Sequence, residues 1–122
     1  MNWTEEIVVL AIIVILYLIW KRSSQIPAGS AVEYLKNGAL LIDVRSPAEF
    51  NSGHLPNAIN LPLPEIETAL PRRVKDINQV LLLHCQSGMR SGVAKTKLKR
   101  LGYTSVFNLG SYGRAARIVS AR

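Results

Sequence analysis

An uninterrupted apolar run near the N-terminus restricts the possible folds of this chain more than any other feature. Every residue from Ile7 to Trp20 is aliphatic or aromatic, and extension back to Trp3 gives 18 residues. As a helix this segment is about 27 Å long, which is close to the thickness of a hydrocarbon core. We therefore predict a transmembrane helix over residues 3–20, a linker over 21–29 and one folded domain over 30–122.

The charges that flank this run predict its orientation. Glu5 and Glu6 precede it, whereas Lys21 and Arg22 follow it. Because basic residues beside a membrane span stay on the cytoplasmic side, we expect a single-pass protein of the cell membrane with its domain in the cytoplasm. A cleaved secretory signal and a buried helix are the alternatives. A signal begins with basic residues, however, and this chain has no Lys or Arg before residue 21.

The remainder of the chain is strongly basic. All 15 Lys and Arg lie from Lys21 onward, together with six of the eight acidic residues, which leaves a formal charge of +9 on this part. The basic residues are not interleaved with aromatic ones, so we expect no nucleic acid partner. We expect this surface either to face anionic lipid beside the anchor or to be solvated.

Apolar segments alternate with helical patterns through the rest of the chain. The predicted strands span residues 39–44, 58–61, 80–84 and 105–109. The predicted helices span 31–36, 65–70 and 93–101, and two capping boxes, Ser30 with Glu33 and Ser46 with Glu49, open the first helix and a further one. This alternation indicates an α/β fold with a mainly parallel central sheet and helices on both faces. Such sheets bind ligands at the carboxyl ends of their strands.

The only cysteine, Cys85, lies where the strand over 80–84 turns into a helix. A helix N-terminus carries unpaired N–H groups and a partial positive charge, so we expect the pKa of the Cys85 thiol to be lowered. Gly88 allows the following backbone to curl so that its amides point at an anion, and Arg90 adds a permanent positive charge. One cysteine and two histidines form neither an internal disulfide nor a zinc site, and we expect no metal and no cofactor.

Three motifs, in this order, resemble the landmarks of the rhodanese-like domain family. They are Asp43-Val44-Arg45, the segment Gly53-His54-Leu55-Pro56-Asn57-Ala58, and the cysteine loop Cys85-Gln86-Ser87-Gly88-Met89-Arg90-Ser91. The resemblance extends over roughly residues 26–109. It implies a rhodanese-like fold and a sulfurtransferase that takes sulfane sulfur from a donor such as thiosulfate and passes it to a thiol or another sulfur-acceptor protein.

The same resemblance implies roles for individual residues. Cys85 would be the nucleophile that holds the sulfur as a persulfide. The backbone from Gln86 through Ser87, Gly88 and Met89 to Arg90 would bind the persulfide and the donor. Asp43, Arg45 and His54 would be structural, the first two as an ion pair. His84, directly before the nucleophile, should point to the opposite face of a regular strand.

Two other functions are compatible with the motifs. Cysteine phosphatases place five residues between cysteine and arginine, whereas only four separate Cys85 from Arg90. This shorter loop favours sulfur over a phosphoryl group. A membrane-tethered sulfur carrier that turns over thiosulfate poorly is the other alternative.

The end of the chain departs from the family pattern. The family commonly has a glycine pair followed by a helix that carries a tryptophan, whereas this chain reads Gly110-Ser111-Tyr112-Gly113. We expect Tyr112 to cover part of the apolar surface that a tryptophan would cover. The sequence leaves the length and packing of a closing helix open.

Overall fold

The computed structural model describes residues 2–122, which form eleven successive elements. In chain order these are α1 (Trp3–Ser24), α2 (Ala28–Lys36), β1 (Leu40–Asp43), α3 (Pro47–Ser52), β2 (Ile59–Asn60), a 3-10 turn (Leu63–Glu65), α4 (Ile66–Arg73), β3 (Leu81–His84), α5 (Met89–Arg100), β4 (Val106–Gly110) and α6 (Tyr112–Ser120).

The four strands form one parallel sheet in the order β2-β1-β3-β4, which confirms the predicted α/β class. In the register, Asp43 pairs with His84, and His84 pairs with Gly110 across a local irregularity. All three residues end their strands, so Cys85 emerges at the carboxyl edge of the sheet. This is the edge at which parallel sheets bind ligands.

Helices cover both faces of the sheet, as predicted. Helices α4 and α5 pack on one face, where Leu81 and Leu83 of β3 are buried. Helices α2 and α6 pack on the other face with Leu82. The alternation along β3 thus divides the core into two apolar clusters and directs the side chain of Cys85 into the cluster beneath α5.

Helix α1 lies outside both clusters, because none of its residues is buried. It carries Glu5 and Glu6 in its first turn and Lys21 and Arg22 in its last, and it is long and apolar enough to cross a membrane. A signal sequence near the N-terminus has the same properties. The segment predicted as a linker is mostly helical, since α1 continues to Ser24 and α2 already begins at Ala28.

Helices α2 and α4 differ from their predicted boundaries. Helix α2 begins three residues before Ala31, because Pro27 precedes it in an extended conformation and its carbonyl accepts a hydrogen bond from the Ala31 amide at 3.1 Å. Ser30 therefore lies inside the first turn and caps nothing. Helix α4 does not stop before Pro71 but runs to Arg73, held by buried Ile66 and Leu70.

The capping box at Ser46 is confirmed. The Ser46 hydroxyl accepts from the Glu49 amide at 3.2 Å, and the Glu49 carboxylate accepts from the Ser46 amide at 3.1 Å. Pro47 occupies the first helical turn, where a missing N–H costs nothing. This short helix fixes Glu49 close to the cysteine loop, a consequence that the sequence pattern does not show.

A closing helix is present despite the missing tryptophan. Gly110 adopts a φ of +94°, and the Ser111 hydroxyl then caps α6 by accepting from the Arg114 amide at 3.1 Å. Ala115 and Ile118 of α6 are buried against α2. Tyr112 is half-buried and packs against this cluster, as expected.

Candidate active site

The thiol of Cys85 lies at the carboxyl end of β3 and is fully buried. Its sulfur accepts a hydrogen bond from the Gly88 amide at 3.0 Å, and the Ser91 hydroxyl lies 3.5 Å from it. Both donors belong to the turn that opens α5, which begins at Met89, four residues earlier than predicted. This turn brings the Gly88 amide and the Ser91 hydroxyl against the sulfur.

These donors determine the ionisation of the thiol. Burial opposes the thiolate, but hydrogen bonds from the Ser91 hydroxyl and from the amides of Ser91, Gly88 and Ser87 outweigh it, so the pKa of Cys85 is lowered. The direction agrees with the sequence-based expectation. The site is therefore suited to hold a sulfur anion out of solvent.

Gly88 is required for this geometry for two reasons. Its φ of +97° is in the left-handed region that favours glycine. A Cβ at this position would also lie 3.1 Å from the Cα of Gly110 in β4. The expected curl of the loop is present, and the loop is pressed against the neighbouring strand.

Asn108 is a buried site residue that sequence reasoning missed. Its side-chain oxygen accepts from the Ser91 hydroxyl at 2.7 Å and from the Gly110 amide at 2.8 Å, while its amide donates to the Gly88 carbonyl at 3.0 Å. Asn108 thereby ties the loop to β4. The available signal was a polar residue between Phe107 and Leu109 in an otherwise apolar strand.

Ser91 has one hydroxyl proton and three acceptors at the site, one of which is the Gly88 carbonyl at 3.2 Å. The Asn108 side-chain oxygen is the nearest at 2.7 Å, and the Cys85 sulfur is the most distant at 3.5 Å. An ionised sulfur is a stronger acceptor than a neutral amide oxygen, so ionisation of Cys85 favours donation toward the sulfur.

Arg90 makes a contact that the sequence did not predict. Its guanidinium binds the Glu49 carboxylate through two hydrogen bonds of 2.6 and 2.9 Å. The hydrogen bond from Arg90, followed by that from the Ser46 amide, lowers the pKa of Glu49 to about 2. The positive charge beside the cysteine loop is thus balanced by an acid, which any anionic substrate has to replace or share.

Of the three residues predicted as structural, Asp43 and Arg45 form a buried network of their own, whereas His54 is exposed. Arg45 is paired with Asp43 at 2.7 Å, and it also donates to the Gly53 carbonyl at 2.8 Å. His54 stacks on Phe50 and contacts the Phe50 carbonyl at 2.9 Å. The expected buried ion pair is present.

His84 faces this network. Its Nε2 atom lies 3.8 Å from Asp43, and its ring meets Tyr112 edge-on. Burial lowers the pKa of His84, which favours the neutral ring. The side chain therefore packs on the face opposite the thiol, as the strand alternation predicts.

Two shallow cavities adjoin the Arg90–Glu49 pair. A shallow cavity of about 320 Å³ on one side includes Glu49, Gln86 and Tyr112, and one of about 280 Å³ on the other side includes Val44 and Arg90. Gln86 itself is exposed, whereas Cys85 is buried. Within residues 2–122 no cluster of three potential metal ligands is present.

Comparison with known proteins gives a consistent result. A family model described as the rhodanese-like domain matches residues 28–113. Thiosulfate sulfurtransferase PspE of Escherichia coli K12 is 41% identical over 69 residues, which cover 57% of this chain and 66% of that protein. Thiosulfate sulfurtransferase GlpE of Pseudomonas syringae is 31% identical over 85 residues, which cover 70% of this chain and 78% of that protein.

A solved structure extends the comparison. The human single-domain sulfurtransferase TSTD1 is similar with a TM-score of 0.66 and 28% identity, over 77% of this chain and 96% of that one. This chain spans just under two thirds of the length of its E. coli relative. The family model covers more than half of the chain and includes all three motifs, so the chain belongs to the rhodanese-like domain family.

Proposed function

We propose that this protein is a membrane-anchored sulfurtransferase that moves sulfane sulfur from a donor such as thiosulfate to a thiol through a persulfide on Cys85. The observation that carries the proposal is the pair of donors, the Gly88 amide at 3.0 Å and the Ser91 hydroxyl at 3.5 Å, directed at the Cys85 sulfur. Relatives named as thiosulfate sulfurtransferases support the same chemistry.

The reaction requires two displacements at sulfur. The Cys85 thiolate attacks the outer sulfur of thiosulfate, a new S–S bond forms, and the S–S bond of the donor breaks with its electron pair leaving on sulfite. An acceptor thiolate then attacks the outer persulfide sulfur and releases the Cys85 thiolate. No external oxidant or reductant is needed, and the enzyme alternates between thiolate and persulfide.

The loop stabilises the anion at each stage. The amides that lower the pKa of Cys85 are positioned to donate to the persulfide as well, since its terminal sulfur carries the negative charge. Arg90 orients the anionic donor once its contact with Glu49 is loosened. Asp43, Arg45 and His54 maintain the fold around the loop and take no part in bond making.

The anchor is α1, and the site lies on the cytoplasmic side of the cell membrane. The length and composition of the helix support a span, and Lys21 with Arg22 at its C-terminal end support this orientation. Labelling of Cys85 in intact cells by a permeant but not by an impermeant thiol reagent is the expected result. Labelling by both would place the domain outside.

Mass spectrometry of the intact protein after exposure to thiosulfate tests the chemistry. The expected result is a gain of one sulfur atom at Cys85, absent in Cys85→Ser. Turnover in the presence of a thiol acceptor then separates a transferase from a sulfur carrier, which would load sulfur but release it slowly. Failure to gain sulfur would contradict both, and Cys85-dependent hydrolysis of a phosphate ester would indicate a phosphatase instead.

A further inference from the structure

The anchor joins the domain at the same sheet edge as the active site. Gln25, directly after α1, pairs with Asn108 of β4, and the Ile26 amide donates to the Asn108 carbonyl at 3.0 Å. The Gln25 side chain fills the space beside the cysteine loop, since a Cβ on Gly88 would lie 3.4 Å from its amide nitrogen. The connection is therefore short and fixed to the strand that supports the loop.

The last turn of α1 also contacts α5 near the thiol. A Cβ on Gly92 would lie 3.8 Å from the Trp20 ring, and Lys95 donates to the Ser24 carbonyl at 3.5 Å. Gly92 directly follows Ser91, whose hydroxyl lies 3.5 Å from the Cys85 sulfur. A tryptophan at the end of an apolar span marks the membrane interface, so the thiol lies close to that level.

The outer face of α5 is apolar beside this contact. Met89 and Val93 are about half exposed, at 51% and 48%, and lie one turn apart on the side of the helix that includes Gly92. Basic Lys21 and Arg22 lie in the last turn of α1, directly after Trp20, whose ring approaches Gly92. Exposed apolar side chains beside basic ones, at the end of a span, match the chemistry of a lipid headgroup region.

The opposite edge of the sheet provides a contrast. Ile77 and Leu101 are exposed to a similar extent, at 50% and 45%. They lie in the loops that lead into β3 and β4, at the amino ends of these strands. The contacts of α1 and Gln25 lie near the carboxyl edge, so these two residues point away from the anchor.

We infer that the lipid surface contacts Met89 and Val93, so that the cysteine loop opens at the membrane and exchanges sulfur there. The inference rests on the proposed anchoring by α1 and adds that the active edge of the domain faces the bilayer. The anchor then orients the domain as well as tethering it, and the domain meets donors and acceptors at the membrane surface.

Lipid quenching in vesicles tests this orientation. The full chain with Cys85→Ser would carry one new cysteine, either Val93→Cys or Ile77→Cys, labelled with a small fluorophore. It would be reconstituted in phosphatidylcholine and phosphatidylglycerol vesicles containing nitroxide-labelled lipid. Both positions are half exposed, so the label enters without disturbing the core, and circular dichroism verifies folding. We expect quenching at position 93 to exceed that at position 77 several-fold.

Flotation of the same vesicles distinguishes anchoring by α1 from the membrane-facing orientation of the active site. Co-flotation with equal quenching at the two positions, or with none at position 93, would overturn the membrane-facing site and leave the anchor intact. Failure of the protein to float would overturn the anchor and the orientation together, whereas persulfide formation by the wild-type chain would still stand.

Discussion

Two polar groups are buried side by side at the carboxyl edge of the sheet, and they are organised in opposite ways. Around Cys85, the Gly88 amide and the Ser91 hydroxyl converge on one sulfur atom that has no permanent charge of its own. In the neighbouring network, Arg45 and Asp43 are paired with each other at 2.7 Å. Hydrogen-bond donors that can stabilise a negative charge on the sulfur indicate a reactive site. Two opposite charges that neutralise each other indicate a structural one. Disrupting each network should therefore have a different consequence.

Asp43→Asn should cause the largest loss of stability. It leaves the buried Arg45 guanidinium without its anionic partner, which costs about 3–5 kcal/mol in comparable buried pairs. Urea denaturation of the full chain would measure the free energy of unfolding. The matched control is Glu67→Gln, which removes the surface pair with Lys97 and should cost less than about 1 kcal/mol. Equal losses of unfolding free energy in the two variants would show that the buried pair stabilises the fold no more than the surface pair does.

Gly88→Ala should impair both the loop and the stability, by about 1–3 kcal/mol. The added Cβ meets Gly110 at 3.1 Å in a left-handed conformation, so the Gly88 amide moves away from the sulfur. Persulfide formation from thiosulfate should fall strongly. Gly102→Ala is the control, because Gly102 has a φ of +102° but no atom within 4 Å of its added Cβ. A similar loss of activity in both variants would mean that backbone strain, and not the contact with Gly110, causes the loss.

Ser91→Ala should raise the pKa of Cys85 without unfolding the protein. It removes a hydroxyl that lies 3.5 Å from the sulfur and lowers the pKa of the thiol. The loss of one hydrogen bond corresponds to about 1 kcal/mol, and the midpoint of alkylation should move to higher pH. Ser120→Ala, at an exposed hydroxyl far from the loop, is the control. An unchanged midpoint would contradict the role assigned to Ser91.

Glu49→Gln should have the smallest effect on stability and a specific effect on the donor. The Arg90–Glu49 pair is partly exposed, so its loss should cost less than about 1 kcal/mol. The freed guanidinium should bind thiosulfate better and lower its KM. Glu33→Gln, an exposed acid on α2, is the control. A higher KM in Glu49→Gln would mean that Glu49 positions Arg90 for the donor instead of competing with it.

The sequence predicts where the strands and Cys85 lie along the chain better than it predicts contacts between distant segments. The apolar runs 80–84 and 105–109 and the position of Cys85 follow from patterns of neighbouring residues, and the structure agrees. The pairing of Glu49 with Arg90 and of Asn108 with Ser91 joins residues that are 41 and 17 positions apart. No local pattern reports such contacts, because they depend on how the strands assemble.

Local signals also competed with one another. Ser30 with Glu33 has the form of a capping box, but the helix starts earlier, where the Pro27 carbonyl accepts from the Ala31 amide. Pro71 reads as a helix end, yet burial of Ile66 and Leu70 on both sides of one turn holds the helix together. In each case a packing or backbone contact outweighed the residue preference.

The pH dependence of Cys85 alkylation in the full chain tests the central claim most directly. The same chain in denaturant provides the reference, where a free thiol titrates near pH 8.5. Because the folded loop lowers the pKa of Cys85, the alkylation rate of the native protein should reach its midpoint at a lower pH than that of the unfolded chain. A native midpoint equal to or above the denatured one would contradict an activated thiolate and the sulfur chemistry built on it.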